Sequence, residues 1–108
     1  MKRGDFYRVP HATKKDPKEQ RVYLVVSRQE LIDTNFPTVI CAGVCTKYHG
    51  YPTQVEVGVE EGLKHDSAVY CDALVSLDKS KLTDLISHLS DSKMEEVNEA
   101  LRVALAVE

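Results

Sequence analysis

Apolar positions in the first two thirds of the chain follow the spacing of β-strands. Val55, Val57 and Val59 alternate with polar or small residues, which is the two-residue period of a strand with one buried face. Residues 22–27 are β-branched and apolar enough for a central strand, and residues 38–45 are small enough to be buried on both faces. We predict five strands, at residues 6–9, 22–27, 38–45, 53–59 and 68–77.

Proline, glycine and polar residues separate these strands. Residues 11–20 are polar and contain Pro17, so they are predicted to form a loop. Residues 28–33 can make one helical turn before Pro37 prevents a longer helix. The sequence Gly50-Tyr51-Pro52 marks a turn before the fourth strand.

The apolar spacing changes to that of helices near the end of the chain. Leucine and isoleucine recur three and four residues apart over residues 79–88, which predicts a helix there. Ser92 and Glu95 match a capping box, which predicts the start of a final helix. Strands first and helices last predict a single α+β domain over residues 1–108, built around a strongly curved antiparallel sheet.

Composition narrows the class of protein. The chain has 108 residues, of which 43% are hydrophobic and 29% charged, values typical of one folded domain. No apolar stretch approaches the roughly 20 residues that cross a bilayer, and no apolar segment of a signal peptide follows Met1, so we expect a cytoplasmic protein. Three cysteines, an odd number, argue against a disulfide framework, and the histidines show no zinc-site spacing. We expect neither a metal nor a cofactor.

Charge is divided unevenly along the chain. Residues 1–28 contain eight Lys or Arg and three Asp or Glu, a net charge of +5. Residues 29–108 contain six and fourteen, a net charge of −8. This separation can give a basic surface for a polyanion on a protein whose overall charge is −3, although a solvated basic loop with no partner explains it as well.

Short motifs occur in a characteristic order along almost the whole chain. They are Gly4-Asp5-Phe6-Tyr7, Glu19-Gln20-Arg21 with Leu24-Val25-Val26-Ser27, Thr38-Val39-Ile40 with Cys45-Thr46, Gly50-Tyr51-Pro52-Thr53, Asp66-Ser67-Ala68-Val69 and Leu77-Asp78-Lys79-Ser80. In this order they resemble the MazF/PemK family, the toxin ribonucleases of toxin–antitoxin pairs. No single motif is specific, so the resemblance depends on their colinearity.

The resemblance implies both a fold and an activity. Such proteins have a small SH3-like antiparallel barrel with a C-terminal helix and form homodimers. They cut single-stranded RNA at short sequences without a metal, by attack of a 2′-hydroxyl on the adjacent phosphate that leaves a 2′,3′-cyclic phosphate. A cognate antitoxin with an acidic tail would compete with RNA for the basic groove.

Four residues are implied as catalytic. Arg21 matches the catalytic arginine of the family, whose planar fork suits two phosphate oxygens; the alternative is a solvated arginine at a strand edge. Glu19 is the candidate base, although a surface carboxylate fits equally. Cys45 and Thr46 match two hydroxyl positions, and the Cys45 thiol donates only a weak hydrogen bond. The alternative for Cys45 is a small buried apolar residue.

Other residues are implied as RNA contacts, with solvated loops as the alternative for all of them. They are Lys14, Lys15, Lys18 and His11 in the first loop, and Lys47 and His49 before the turn. Val75 departs from the family, many members of which carry a cation at that position. With Cys45, this departure keeps a second class of function open, in which the chain is a non-enzymatic CcdB-like toxin that binds DNA gyrase, or a catalytically weakened RNA- or antitoxin-binding member.

Overall fold

The computed structural model describes residues 1–10 and 21–108, and it contains one six-stranded antiparallel sheet. Neighbouring strands lie in the order β4-β5-β3-β2-β1-β6. The strands are β1 (Asp5–Val9), β2 (Arg21–Val25), β3 (Thr38–Cys45), β4 (Gln54–Val57), β5 (Ser67–Asp78) and β6 (Asp84–His88). The helices are α1 (Gln29–Ile32) and α2 (Asp91–Leu105), with 3₁₀ turns at Val59–Glu61 and Lys79–Lys81.

The predicted α+β class is confirmed, since a curled antiparallel sheet carries a C-terminal helix. All five predicted strands are present, and no end shifts by more than two residues. In β4 the alternation holds, because Val55 and Val57 are buried and Glu56 is exposed. Val59 is exposed in the following turn, so its predicted place in the strand is wrong. Burial of β3 on both faces is confirmed at its centre but not at Ile40, which is exposed.

The predicted helix over residues 79–88 is wrong. A 3₁₀ turn over 79–81 is followed by β6, which pairs with β1 and covers that edge of the sheet. Leu82 is buried next to the 3₁₀ turn, and in β6 Ile86 is half-buried and Leu85 is exposed. The spacing that resembles the apolar face of a helix therefore comes from a turn followed by a strand. Short apolar runs do not distinguish helix from strand when a free sheet edge is available.

The final helix is confirmed, but it begins earlier than predicted. Ser90, not Ser92, is the N-cap residue, and its hydroxyl accepts a hydrogen bond from the amide of Lys93 at 3.3 Å. The chain is extended at Ser90 as it leaves β6, which provides the cap geometry two residues before the predicted one. Met94, Val97 and Ala100 form the buried stripe of the helix. None of the helices in the described ranges has the length and apolar character of a membrane span.

Apolar clusters cover both faces of the sheet. The first lies between the sheet and α2 and includes Leu24, Ala42 and Val97. The second lies on the opposite face and includes Val25 and Cys41 together with residues of α1 and of the turn before β6. The centres of β2 and β3 are therefore held from both sides, while Arg21 at the start of β2 and Cys45 at the end of β3 belong to neither cluster.

Candidate active site

Arg21 and Cys45 lie opposite each other at adjoining ends of β2 and β3. The register pairs Val22 with Val44, so the next two positions bring Arg21 and Cys45 side by side. Directly opposed residues in an antiparallel pair are about 4.5–5.5 Å apart at Cα and share a face of the sheet. Arg21 is exposed and Cys45 is half-buried, and both line one cleft of about 270 Å³.

The cleft is polar at one end and apolar elsewhere. Tyr23, Gly43 and Val75 also line it, and Arg21 is the only charged residue among the lining residues that the structure describes. Val75 is 39% exposed and forms part of the apolar wall. The cleft can therefore hold an anionic group against Arg21, with an apolar surface beside it.

Thr46 does not lie in this cleft. Thr46 is the first residue after β3, and it lines a neighbouring cavity of about 550 Å³ with Arg8; Val22 and Val44 line both the cleft and this cavity. The structure thus brings Arg21 and Cys45 together in one cleft, and Thr46 lines the cavity next to it.

Five predicted residues lie outside the described residues. They are Glu19, Lys14, Lys15, Lys18 and His11, all in the segment between β1 and β2. Their proposed contributions as base and RNA contacts stay predictions.

The connection from β3 to β4 contains the other two predicted contacts, Lys47 and His49. The backbone carbonyl of Lys47 accepts a hydrogen bond from the hydroxyl of Tyr70. The backbone amide of His49 donates to Oε1 of Gln54 at 2.9 Å, and its ring stacks on Tyr51 with centroids 5.5 Å apart. Both residues are exposed, on a segment that side chains of the neighbouring strands hold in place.

Tyr70 was not found from the sequence. It pairs with Gly43 on the face of the sheet that carries Cys45. Burial, with the nearby ionisable groups of Cys45 and Tyr51, raises the pKa of the Tyr70 phenol. Its proximity to Cys45 follows from the β3–β5 register, which no local pattern reveals.

A bulge in β5 shapes this part of the sheet. Ala42 pairs with Leu74 while the next residue, Gly43, pairs with Tyr70, so residues 71–73 have no partner on β3. The Thr53 hydroxyl donates to Oδ2 of Asp72 in the bulged segment at 2.6 Å. Bulges bend a strand and change the direction of its side chains, and they are frequent beside active sites.

A family comparison decides what kind of protein carries this cleft. The model of the family described as "PemK-like, MazF-like toxin of type II toxin-antitoxin system" matches residues 2–105. The chain belongs to this family. The resemblance inferred from the order of its motifs is thereby confirmed.

Two relatives of this MazF-like toxin are named as endoribonucleases. The endoribonuclease EndoA of Bacillus subtilis is 33% identical over 111 residues, covering 99% of this chain and 96% of EndoA. The endoribonuclease MazF of Staphylococcus saprophyticus is 31% identical over 111 residues, covering 99% and 92%. A solved mycobacterial endoribonuclease in complex with its cognate antitoxin has a TM-score of 0.83 at 24% identity, covering 98% of this chain and 95% of that one, and it shows the same fold.

Cysteines in this toxin differ sharply in environment. All three are free, and Cys41 and Cys71 lie in the two apolar clusters. Burial raises the pKa of Cys41 to about 12, and burial with the nearby Asp72 raises that of Cys71 to about 11, so both are neutral packing residues. Cys45, in the cleft, is the accessible thiol. Across residues 1–10 and 21–108, no three His, Cys, Asp or Glu side chains are grouped as metal ligands.

Proposed function

We propose that this endoribonuclease toxin cleaves single-stranded RNA at short sequences, by attack of a 2′-hydroxyl on the adjacent phosphate and release of the 5′-oxygen. The product strand would end in a 2′,3′-cyclic phosphate. Family membership and the names of its relatives support the activity class. The observation that supports the reaction site is the cleft in which Arg21 and Cys45 face each other.

Arg21 is proposed to stabilise charge on the phosphate. Negative charge builds on the non-bridging oxygens as the 2′-oxygen attacks, and the guanidinium fork can donate to two of them at once. Because Arg21 is on a strand whose inner residues are buried, its backbone is fixed before the substrate arrives. Removing one preorganised donor of this kind typically slows a reaction by about 10²–10³-fold.

The reaction also requires a base for the 2′-hydroxyl proton and an acid for the leaving 5′-oxygen. Glu19 is proposed as the base on the family resemblance alone. Cys45 is proposed as a weak donor to a phosphate oxygen, a position supported by its place opposite Arg21. Thr46 is left out of the phosphate site because it faces a different cavity.

RNA contacts outside the cleft are proposed at the basic and histidine side chains of two segments of the chain. They are Lys14, Lys15, Lys18 and His11 between β1 and β2, and Lys47 and His49 between β3 and β4. Exposure of the last two residues supports their accessibility to a polyanion. The +5 charge of residues 1–28 supports the basic character of the first loop.

Partners are proposed on the same basis. A cognate antitoxin with an acidic tail would bind the basic residues of the first part of the chain and exclude RNA. The solved complex of a mycobacterial endoribonuclease with its cognate antitoxin supports such a partner. We also propose a cytoplasmic homodimer. Exposed apolar residues at the end of α2, Val103 and Leu105, support a subunit contact there.

Digestion of RNA by the purified protein tests this function. A long mixed-sequence single-stranded RNA is incubated with the protein, with and without EDTA, and the new ends are mapped and their phosphates identified. We expect cuts at one short sequence, unaffected by EDTA, that end in a cyclic phosphate. Arg21→Ala should slow them by about 10²–10³-fold, and Arg21→Lys should restore a small fraction of the rate.

Two results would contradict the proposal. RNA that stays intact at high protein concentration would contradict the ribonuclease activity. Cuts that the Arg21→Ala protein makes at the full rate would show that the cleft is not the reaction site. If the Arg21→Ala protein also remained toxic to cells, the non-enzymatic alternative, binding of DNA gyrase, would be favoured.

A further inference from the structure

The segment between β3 and β4 exposes aromatic rings that the fold does not use for packing. Tyr51 is 58% exposed and Tyr48 is 46% exposed. The ring of His49 stacks on Tyr51 with an interplanar angle of 24°. Exposed, stacked aromatic rings are the surfaces on which proteins hold the unpaired bases of single-stranded RNA.

Hydrogen bonds fix this segment in the absence of a ligand. The Tyr70 hydroxyl donates to the carbonyl of Lys47, the amide of His49 donates to the side chain of Gln54, and the amide of Gln54 donates to the carbonyl of Tyr51 at 2.9 Å. Gly50, at φ +74°, supplies the left-handed turn that lets the two rings meet. A surface ordered before binding loses less conformational entropy when a ligand arrives.

The stacked rings are connected to the catalytic face through Tyr70. Gly43 has no side chain, so the Tyr70 ring can extend from β5 along the end of β3, and its hydroxyl reaches Lys47 two residues after Cys45. Two residues of chain span at most about 7 Å. On its other side Tyr70 pairs with Gln54, the residue that hydrogen-bonds to both His49 and Tyr51. Tyr70 therefore lies between the end of β3 that carries Cys45 and the segment that carries the stacked rings.

We propose that the stacked rings of His49 and Tyr51 form a subsite for one unpaired base of the RNA next to the scissile phosphate, and that Tyr70 is the residue that positions it. This inference rests on the proposed ribonuclease function and extends it to a recognition site. Stacking accepts any base, so the subsite contributes affinity rather than sequence selectivity. Tyr51 touches the base, whereas Tyr70 acts through the backbone of Lys47.

Binding is tested separately from cleavage. Octanucleotides of mixed sequence, with every 2′-hydroxyl methylated to prevent attack, carry the fluorescent base 2-aminopurine at one position each. We expect quenching of this base on binding to the unmodified protein. Tyr51→Ala should raise Kd about tenfold, within the range for loss of one base–aromatic stack, and remove the quenching. Tyr51→Phe keeps the ring and should stay within about twofold of the unmodified protein.

Cleavage kinetics test the positioning residue. Tyr70→Phe removes only the hydroxyl that binds the Lys47 carbonyl, so KM should rise about threefold to fivefold with kcat changed less than twofold. Val59→Ala, at a side chain that is 69% exposed on a different turn, is the matched control and should alter neither constant. A Tyr70→Phe protein with a lower Tm but an unchanged KM would show that Tyr70 has a purely structural role.

The outcomes separate the subsite from the enzyme. RNA cleavage with full quenching and unchanged Kd in Tyr51→Ala would overturn the subsite and leave the ribonuclease intact. Tyr51-dependent quenching without any cleavage of unmodified RNA would support the subsite and overturn the enzymatic function. A Tyr51→Ala change that weakens binding of the cognate antitoxin but not of RNA would assign the rings to a protein partner and contradict the inference.

Discussion

Introducing a hydroxyl at position 45 should make this toxin a faster ribonuclease. The Cys45 side chain faces the cleft opposite Arg21, and its thiol is a weak hydrogen-bond donor. In Cys45→Thr, the hydroxyl can donate to a phosphate oxygen, a bond with a net value of about 1 kcal/mol at a half-buried position. That free energy corresponds to about a fivefold increase in kcat/KM. Threonine is favoured in strands, so Tm should change by less than about 4 °C.

The matched control is Cys45→Val, which has the shape of threonine without the hydroxyl. Initial rates of cleavage, measured on one RNA that contains the mapped site, should rank Cys45→Thr above the unmodified protein and Cys45→Val below it. If valine and threonine gave equal rates, side-chain shape rather than hydrogen bonding would explain the effect. A Cys45→Thr protein no faster than the unmodified one would refute the position of Cys45 at the phosphate.

Three further predictions concern the cleft wall, a backbone constraint and the thiols. Val75→Lys adds a cation to the cleft and should lower KM severalfold at low salt, an effect that disappears when KM is measured at high salt. Gly62→Ala should lower Tm by about 8 °C or more, since φ is +90° and the new Cβ would lie 2.7 Å from Cβ of Ser87; an unchanged melting curve would contradict this. Burial raises the pKa of Cys41 to about 12 and that of Cys71 to about 11, so a thiol reagent at pH 8 should label one cysteine per native chain. For the same reason the free energy of unfolding should fall as pH rises above about 8.5, where the thiols of the unfolded chain ionise and those of the folded chain do not.

Local periodicity predicted the elements whose burial is one-sided. Val55 and Val57 alternate with exposed residues, and Met94, Val97 and Ala100 recur at helical spacing, so each pattern records one buried face. β6 was misassigned because its pairing with β1 spans about eighty residues of sequence. Nothing in the order of its side chains shows that an edge of the sheet lacks a partner.

The residues of the candidate site were also predictable only in part from the sequence. Arg21 and Cys45 were named from motifs, and their opposition follows from the β2–β3 register, which a correct pairing of the two strands would have given. Thr46, one residue past the end of β3, lines the neighbouring cavity instead. Tyr70 could not be placed, because the β5 bulge changes the register by several residues between Ala42 and Gly43.

The location of the cleft follows from where the apolar clusters end. Along β2, exposure rises from the buried Leu24 and Val25 through half-buried residues to Arg21. Along β3 it rises in the opposite direction of the chain, from Ala42 to Cys45. The same antiparallel pair therefore has one part fixed by packing on both faces and an adjoining end open to solvent. A phosphate site needs fixed donors that a large substrate can reach, and this end of the sheet meets both requirements.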